Sequence, residues 1–492
     1  MRRGWLQIGA RGLALIALFI AAPVWELRHQ STLTSLTNSD FWWHLSTGFG
    51  ILQSHALPHN GWFSQSSALP WMASSWLYDV LVAAGFRWLD MRFLLQLGVF
   101  AKFALAIVVF RLAGGTRGRF WIAVGLSAIA QYVLGQMPPL PVLCSVMALA
   151  IELALLFDFR RGGRIGSLYF LPPLFLVWAN VDPLFVDGIL VLVLFAAVCV
   201  VESRGITWIA TPQDHVPVSR VGGVTALCLI ATFVTPYGWN AFGVFWSGAT
   251  SAANSYFADF QSLRFRTPQD YVLMLLAMAA FLALGVGRSR DLFAIGLLVL
   301  STMAAFHSQR DNWLLVLAAT SVIANADTEE TTSPEPRAAS DEQRAAFLTA
   351  TAVSIVLLVA FAMMRMPSRD ELRATVSEHY PVAAADYIRT NHLPTPLFNA
   401  YPWGGFLTWY LPEYPVAIDG RTDLYGPDFN IQFAKVANFQ AHYSTFAPLN
   451  EAGTILLDKS SPMGKALPNV RGFKTIYSDN VAVVLIRETA QP

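Results

Sequence analysis

The apolar run IGARGLALIALFIAAPVWEL (Ile8–Leu27) is followed a few residues later by NSDFWWHL (Asn38–Leu45). The first stretch is long enough to cross a bilayer, because a spanning helix needs about 20 mostly apolar residues. The second sets an acid, two indoles and an imidazole just past that span. A carboxylate beside a bilayer loses solvation unless water or a partner serves it. Asp40 is therefore a candidate functional residue.

The apolar pattern recurs at about Phe93–Leu112, Phe120–Met137, Pro141–Phe157, Leu168–Val181, Leu184–Val201, Val221–Tyr237, Tyr271–Gly287, Leu292–Phe306, Trp313–Ala326 and Ala345–Met364. With the first run, these predict an α-helical polytopic membrane protein of about eleven transmembrane helices. Composition agrees. The 492 residues are 55% hydrophobic and 13% charged, where soluble domains carry about 25% charged residues. The mean hydropathy is +0.47. A net charge of +1 excludes nucleic-acid binding driven by bulk electrostatics. Cys144, Cys199 and Cys228 all lie in apolar segments and read as small packing residues, not as disulfides or a zinc site.

Loop arginines orient the spans. Arg2, Arg3 and Arg11 place the N-terminus in the cytoplasm, and alternate loops carry Arg111/Arg117/Arg119, Arg160/Arg161/Arg164, Arg204/Arg220 and Arg288/Arg290. The acidic linker 327–344 also falls on the cytoplasmic side, and the C-terminal domain then emerges extracytoplasmic. The opening Met-Arg-Arg, the apolar run and Ala21-Ala22 also have the form of a signal peptide, whose cleavage would leave the remaining topology unchanged.

This topology gathers polar side chains on the outer face. The first outer loop, 28–90, holds Asp40, Trp42, Trp43, His44 and Asp79; later corners hold Asn180, Asp182, Tyr237, Arg264, Arg266, His307 and Arg310. Each has a plain reading and a functional one. Trp42 and Trp43 are interfacial anchors, or they stack on a sugar or a lipid. Asp40 and His44, spaced i and i+4, share a helix face; they are an ordinary pair, a catalytic pair, or part of a divalent metal site (Mg or Mn) whose further ligands are not evident. Asn180 and Asp182 precede Pro183 and suit a helix cap. Tyr237 suits the end of a span. Arg264, Arg266 and Arg310 neutralise lipid headgroups or bind a phosphate, for which the planar guanidinium is shaped. His307 is a hydrated loop histidine or a base. The stripe Phe41, Leu45, Phe49 and Leu52 predicts an amphipathic helix over Asp40–Gln53, capped by Ser39 or Asn38 and lying in the interface. A second helix is expected over Ser74–Leu89.

Residues 1–366 thus form the membrane domain, and 367–492 a small α/β domain. In the latter, helices are expected at Val382–Thr390, Gly404–Leu411 and Phe429–Phe439. Strands are expected at Leu397–Ala400, Val416–Ile418 and Thr454–Leu457, with a hairpin of Phe473–Ile476 and Val481–Ile486. Asp419 and Arg421 then follow the end of a strand, where ligands of α/β sheets often bind; the plain alternative is an internal pair that fixes the turn.

The segments SDFWWHLSTGFGILQSHALPHNGWFS, PWMASSWLYDV, LVWANVDPLFVDG, VTPYGWNAF and NAYPWGGFLTWYLPEYPVAIDGRTDLY resemble a group of bacterial multi-span proteins classed with the GT-C membrane glycosyltransferases. The resemblance covers most of the chain. It implies a bacterial inner-membrane enzyme, a polyprenyl-phosphate-linked sugar as donor, a glycan, lipid or protein acceptor, and an active site on the outer face. It also implies that the first-loop acid, Asp40 here, is the catalytic base or positions substrate. Two positions depart from the group's pattern: Asn38 stands where a second acid is frequent, and Asp182 where histidine is. A lipid-linked-glycan transporter and a non-catalytic scaffold of envelope polysaccharide assembly are the other classes open to a chain of this kind. A transporter calls for polar residues near the membrane midplane, and here Lys102, Gln131, Glu152 and Thr232 are isolated.

Overall fold

The computed structural model describes residues 2–28, 34–115, 119–162, 165–204, 217–257, 260–287, 289–326 and 341–487. Arg117, Arg164, Arg288 and most of the linker 327–344 lie outside them. Each expected span is a helix: Arg2–Arg28, Met91–Leu112, Phe120–Leu134, Pro141–Arg160, Leu171–Val181, Phe185–Ser203, Val218–Thr232, Pro268–Val286, Leu292–His307, Asn312–Asn325 and Asp341–Arg365. Among the described residues, six helices are long and apolar enough to cross a membrane, and Phe120–Leu134, Ile165–Val181, Val218–Thr232 and Leu292–His307 are shorter apolar ones.

Packing divides the chain into two compact units, one of residues 1–29, 97–242 and 258–366, the other of residues 30–96, 243–257 and 367–492. The first outer loop, which sequence counts with the membrane domain, packs with the C-terminal residues.

The first unit is helical. Asn312–Asn325 is its innermost helix, buried from Leu315 to Val322 and at Trp313. It packs on Phe120–Leu134, Pro141–Arg160, Pro268–Val286 and Leu292–His307, as expected of a helix apolar all round. Several buried charges of this unit are paired, whereas the buried Glu152 carboxyl group has no hydrogen bond among the described residues. Lys102 meets Glu26, and Arg160 holds Glu202 through two bonds of 2.9 and 3.2 Å and Asp291 at 3.0 Å. Such charge-assisted forks tie separate helices together.

The second unit is built on a four-stranded mixed sheet. Its strands are β1 (Leu397–Asn399), β2 (Thr454–Asp458), β3 (Phe473–Ser478) and β4 (Ala482–Arg487), in the order β1-β2-β4-β3. β1 runs parallel to β2, in the register Leu397↔Thr454; β4 runs antiparallel to both β2 and β3. Phe398, Ile455, Leu457, Val483 and Leu485 form the core with Phe446 and Leu449. Val416–Ile418 is not a strand. Val416 alone bridges to Leu397 and to Ser64, because a first-loop segment reaches the sheet there: Val416 N–H donates to Phe63 O and Gln65 N–H to Val416 O. The helix expected from Phe429 begins earlier, at Thr422, kinks where Gly426 takes φ 76, and ends at Ala437. The helix Arg369–His379, closed by a capping box of Ser368 and Glu371, is an additional element.

Candidate functional site

The helix Ser39–Ser54 starts where Asn38 Oδ1 accepts from Asp40 N–H at 2.9 Å, an N-cap bond that suits asparagine. This helix packs on Trp76–Leu89 and on Gly404–Tyr410. Both contacts are close, and glycine allows the second. A Cβ at Gly405 would overlap Ser39 O, and a Cβ at Gly420 would overlap Asp40 Oδ1 and lie 3.1 Å from Trp43 Nε1. The turn Asp419-Gly-Arg therefore lies against the carboxylate of Asp40.

Asp40 is half-buried, and Trp43 Nε1–H donates to its Oδ1 at 3.3 Å. His44 does not pair with Asp40. It is buried, with Nδ1 at 2.6 Å from Asp79 Oδ1, its face stacked on Trp43 at 3.6 Å and its edge toward Tyr78. The neighbouring helix supplies a carboxylate within bonding distance, and that bond prevails over the shared helix face. Burial raises the Asp79 carboxyl above the usual range, against the pull of His44 and Arg421. Its Oδ2 has no hydrogen bond among the described residues.

Asp419 and Arg421 form an internal pair. Arg421 Nε–H and Nη2–H reach the carboxylate at 3.0 and 2.6 Å, and Arg421 N–H reaches Asp419 Oδ1 at 2.9 Å. Burial works against the Arg421 charge, but Asp419 holds the guanidinium ionised on balance. Trp71 covers the guanidinium at 4.9 Å and donates Nε1–H to Asp423 Oδ2 at 3.0 Å. Arg421 Nη1 has no hydrogen bond among the described residues. Tyr425 lies 3.2 Å from Ser64 Oγ, and burial keeps its hydroxyl neutral. The result is a wall of paired polar groups behind one partly accessible carboxylate.

Trp42 has a different role from the one expected. It is fully buried, stacked on Trp409 at 4.8 Å and edge-on to Phe406. Its ring is core packing, not a platform for sugar or lipid, because the amphipathic helix faces protein on that side. In the first unit, Asp182 Oδ1 accepts from Leu184 N–H at 2.8 Å, and Asn180 Nδ2–H₂ donates to Leu176 O and Val234 O; both side chains hold their corner. Tyr237 is buried. Arg264, Arg266, His307 and Arg310 are exposed, with Arg310 lying 5.0 Å over Phe260. Burial raises the Asp311 carboxyl despite Arg310.

Two crystal structures of ArnT from Cupriavidus metallidurans resemble this chain. The one bound to undecaprenyl phosphate has a TM-score of 0.51 at 14% identity, covering 96% of this chain and 98% of that chain. The chain has the fold of ArnT. That fold agrees with the many-helix membrane architecture and small C-terminal sheet expected from sequence. The apo ArnT structure gives a TM-score of 0.47 at 14% identity, over 98% of each chain. No family model matches the sequence, and no curated protein does.

Among the described residues, the side chains around Asp40 do not make a protein-only site for a divalent metal. Asp40 offers one carboxylate beside an indole, and no three His, Cys, Asp or Glu side chains gather into a ligand set among the described residues. Asp79 is the site residue that sequence reading passed over as a candidate. Its signal is present: it shares the inner helix face with Val82, Ala83 and Phe86, all buried, and an acid on such a face needs a partner.

Proposed function

We propose that the protein is a membrane glycosyltransferase that moves a sugar from a polyprenyl-phosphate-linked donor to an acceptor on the extracytoplasmic face. The observation that carries this reading is the Asp40 carboxylate, held by Trp43 and closed on one side by Gly420, in a chain with the fold of an undecaprenyl-phosphate-bound protein. Asp40 takes the proton of an acceptor hydroxyl as its oxygen attacks the anomeric carbon. The bond from that carbon to the donor phosphate breaks in the same displacement, which inverts the configuration, and the lipid phosphate leaves. A planar guanidinium suits a lipid phosphate, and Arg264, Arg266 and Arg310 are exposed to bind one. Trp43 orients the base, and the Asp79–His44 bond holds the ring on which Trp43 stacks.

The test is Asp40→Asn in purified, reconstituted protein supplied with a polyprenyl-phosphate sugar. Transfer should fall by about 10²–10⁴-fold, with lipid binding retained. Undiminished transfer would remove Asp40 from the chemistry. Passage of the lipid-linked sugar across vesicles without any transfer would favour a transporter instead.

A further inference from the structure

A pocket of about 340 Å³ opens in the second unit, at the end of the helix that starts beside Arg421. The kink at Gly426 lies between this helix end and the Asp419–Arg421 turn. Val436, Met463 and Leu467 are buried liners and make its floor. Gln440, His442 and Tyr443 form its polar rim. No lining residue carries a permanent charge, which suits an uncharged ligand. The volume lies within the range of small-ligand sites, about 300–1,000 Å³, which pair an apolar surface with a few polar groups.

Phe439 at the mouth is the second observation. It follows the helix end in a left-handed conformation, φ 56. Its N–H donates to Val436 O, and Gln440 N–H donates to Lys435 O. This is a Schellman closure, whose left-handed position ordinarily takes glycine or asparagine. A residue with a Cβ adopts it against steric cost. Here a phenylalanine occupies it, and the residue is 55% exposed. Phe63 and Phe265 share the conformation, but their rings pack on Trp62 and on Tyr271 and Phe306. Phe439 has no such ring contact among the described residues. Strain kept in place to expose an apolar ring points to function.

The rim is preset as well. His442 Nδ1 lies 2.7 Å from Ser444 Oγ and 3.3 Å from Ser444 N, contacts that hold the ring in place. Tyr443 is braced by the His442 ring at 4.2 Å and by Phe473 at 5.5 Å. An exposed aromatic face, an apolar floor and uncharged donors and acceptors suit a neutral ligand that has both apolar faces and hydroxyls. A neutral sugar ring presents C–H faces to aromatic rings and hydroxyls to the rim.

We propose that this pocket binds a neutral sugar residue of a glycan, apart from the Asp40 site. The inference goes beyond the transferase reading and is measured by binding alone, so the two fail separately. The full-length protein in detergent is applied to an array of neutral and anionic oligosaccharides, and the retained members are titrated. Wild type should retain neutral members. Phe439→Gly should weaken their binding about tenfold, the scale of one lost aromatic contact. It should leave the apparent Tm unchanged or raised, because glycine suits the left-handed position. Asp40→Asn should bind as wild type does. Retention of no neutral oligosaccharide overturns the proposal. So does unchanged binding in Phe439→Gly, loss of binding in Asp40→Asn, or a preference for anionic members.

Discussion

Asp79 shows how one buried side chain couples charge, position and stability. Its Oδ1 orients His44, its Oδ2 has no hydrogen bond among the described residues, and burial raises its carboxyl pKa. The sign follows from proton counting. The folded state holds this proton more tightly than the unfolded state does, so stability falls as pH rises from about 3.9, the unfolded value, through the higher folded value. Asp79→Asn keeps an acceptor for His44 and removes the ionisation. Thermal melts from acidic to neutral pH should therefore show a smaller fall in apparent Tm for this variant than for wild type. An equal fall in both would assign the pH dependence to other groups. The Asp79–His44 bond was not legible in sequence, since the partners are 35 positions apart and their meeting depends on how two helices cross.

The elements around Asp40 meet through glycine. The turn at Gly420 and the helix start at Gly405 both approach the first turn of the Ser39–Ser54 helix more closely than any Cβ permits. Gly420→Ala should displace the Asp40 carboxylate or push the turn away. The expected cost is about 1–3 kcal/mol, read as a lower Tm, with transfer reduced more steeply than stability. A variant with wild-type Tm and wild-type transfer would show that this contact does not position Asp40. The helices of this region are legible in sequence, because their apolar stripe and caps are local signals. Val416–Ile418 misleads for the opposite reason: it has strand composition, but Val416 is joined to Leu397 and Ser64 by single bridges. Trp42 misleads likewise, since its burial comes from Trp409 and Phe406, more than 360 positions away.

Across the whole molecule, the alternation of spans predicts an extracytoplasmic C-terminus. Alkaline phosphatase joined after the last residue should be active in intact cells, and a fluorescent protein at that point should be dark. The reverse pattern would mean that one apolar helix does not cross. The span helices themselves needed no tertiary information. A bilayer offers backbone groups no hydrogen bonds, so a long apolar run must satisfy its own as a helix. Loop arginines carry orientation for an equally local reason. The same logic makes the α/β character of residues 367–492 readable, because helical and strand periodicities differ along the chain. Local pattern cannot say which distant side chains share a carboxylate, an indole or a close backbone approach. Folding brought Gly420 to Asp40, Asp79 to His44 and Trp71 over Arg421, because contacts of that kind depend on packing between elements rather than on periodicity within one.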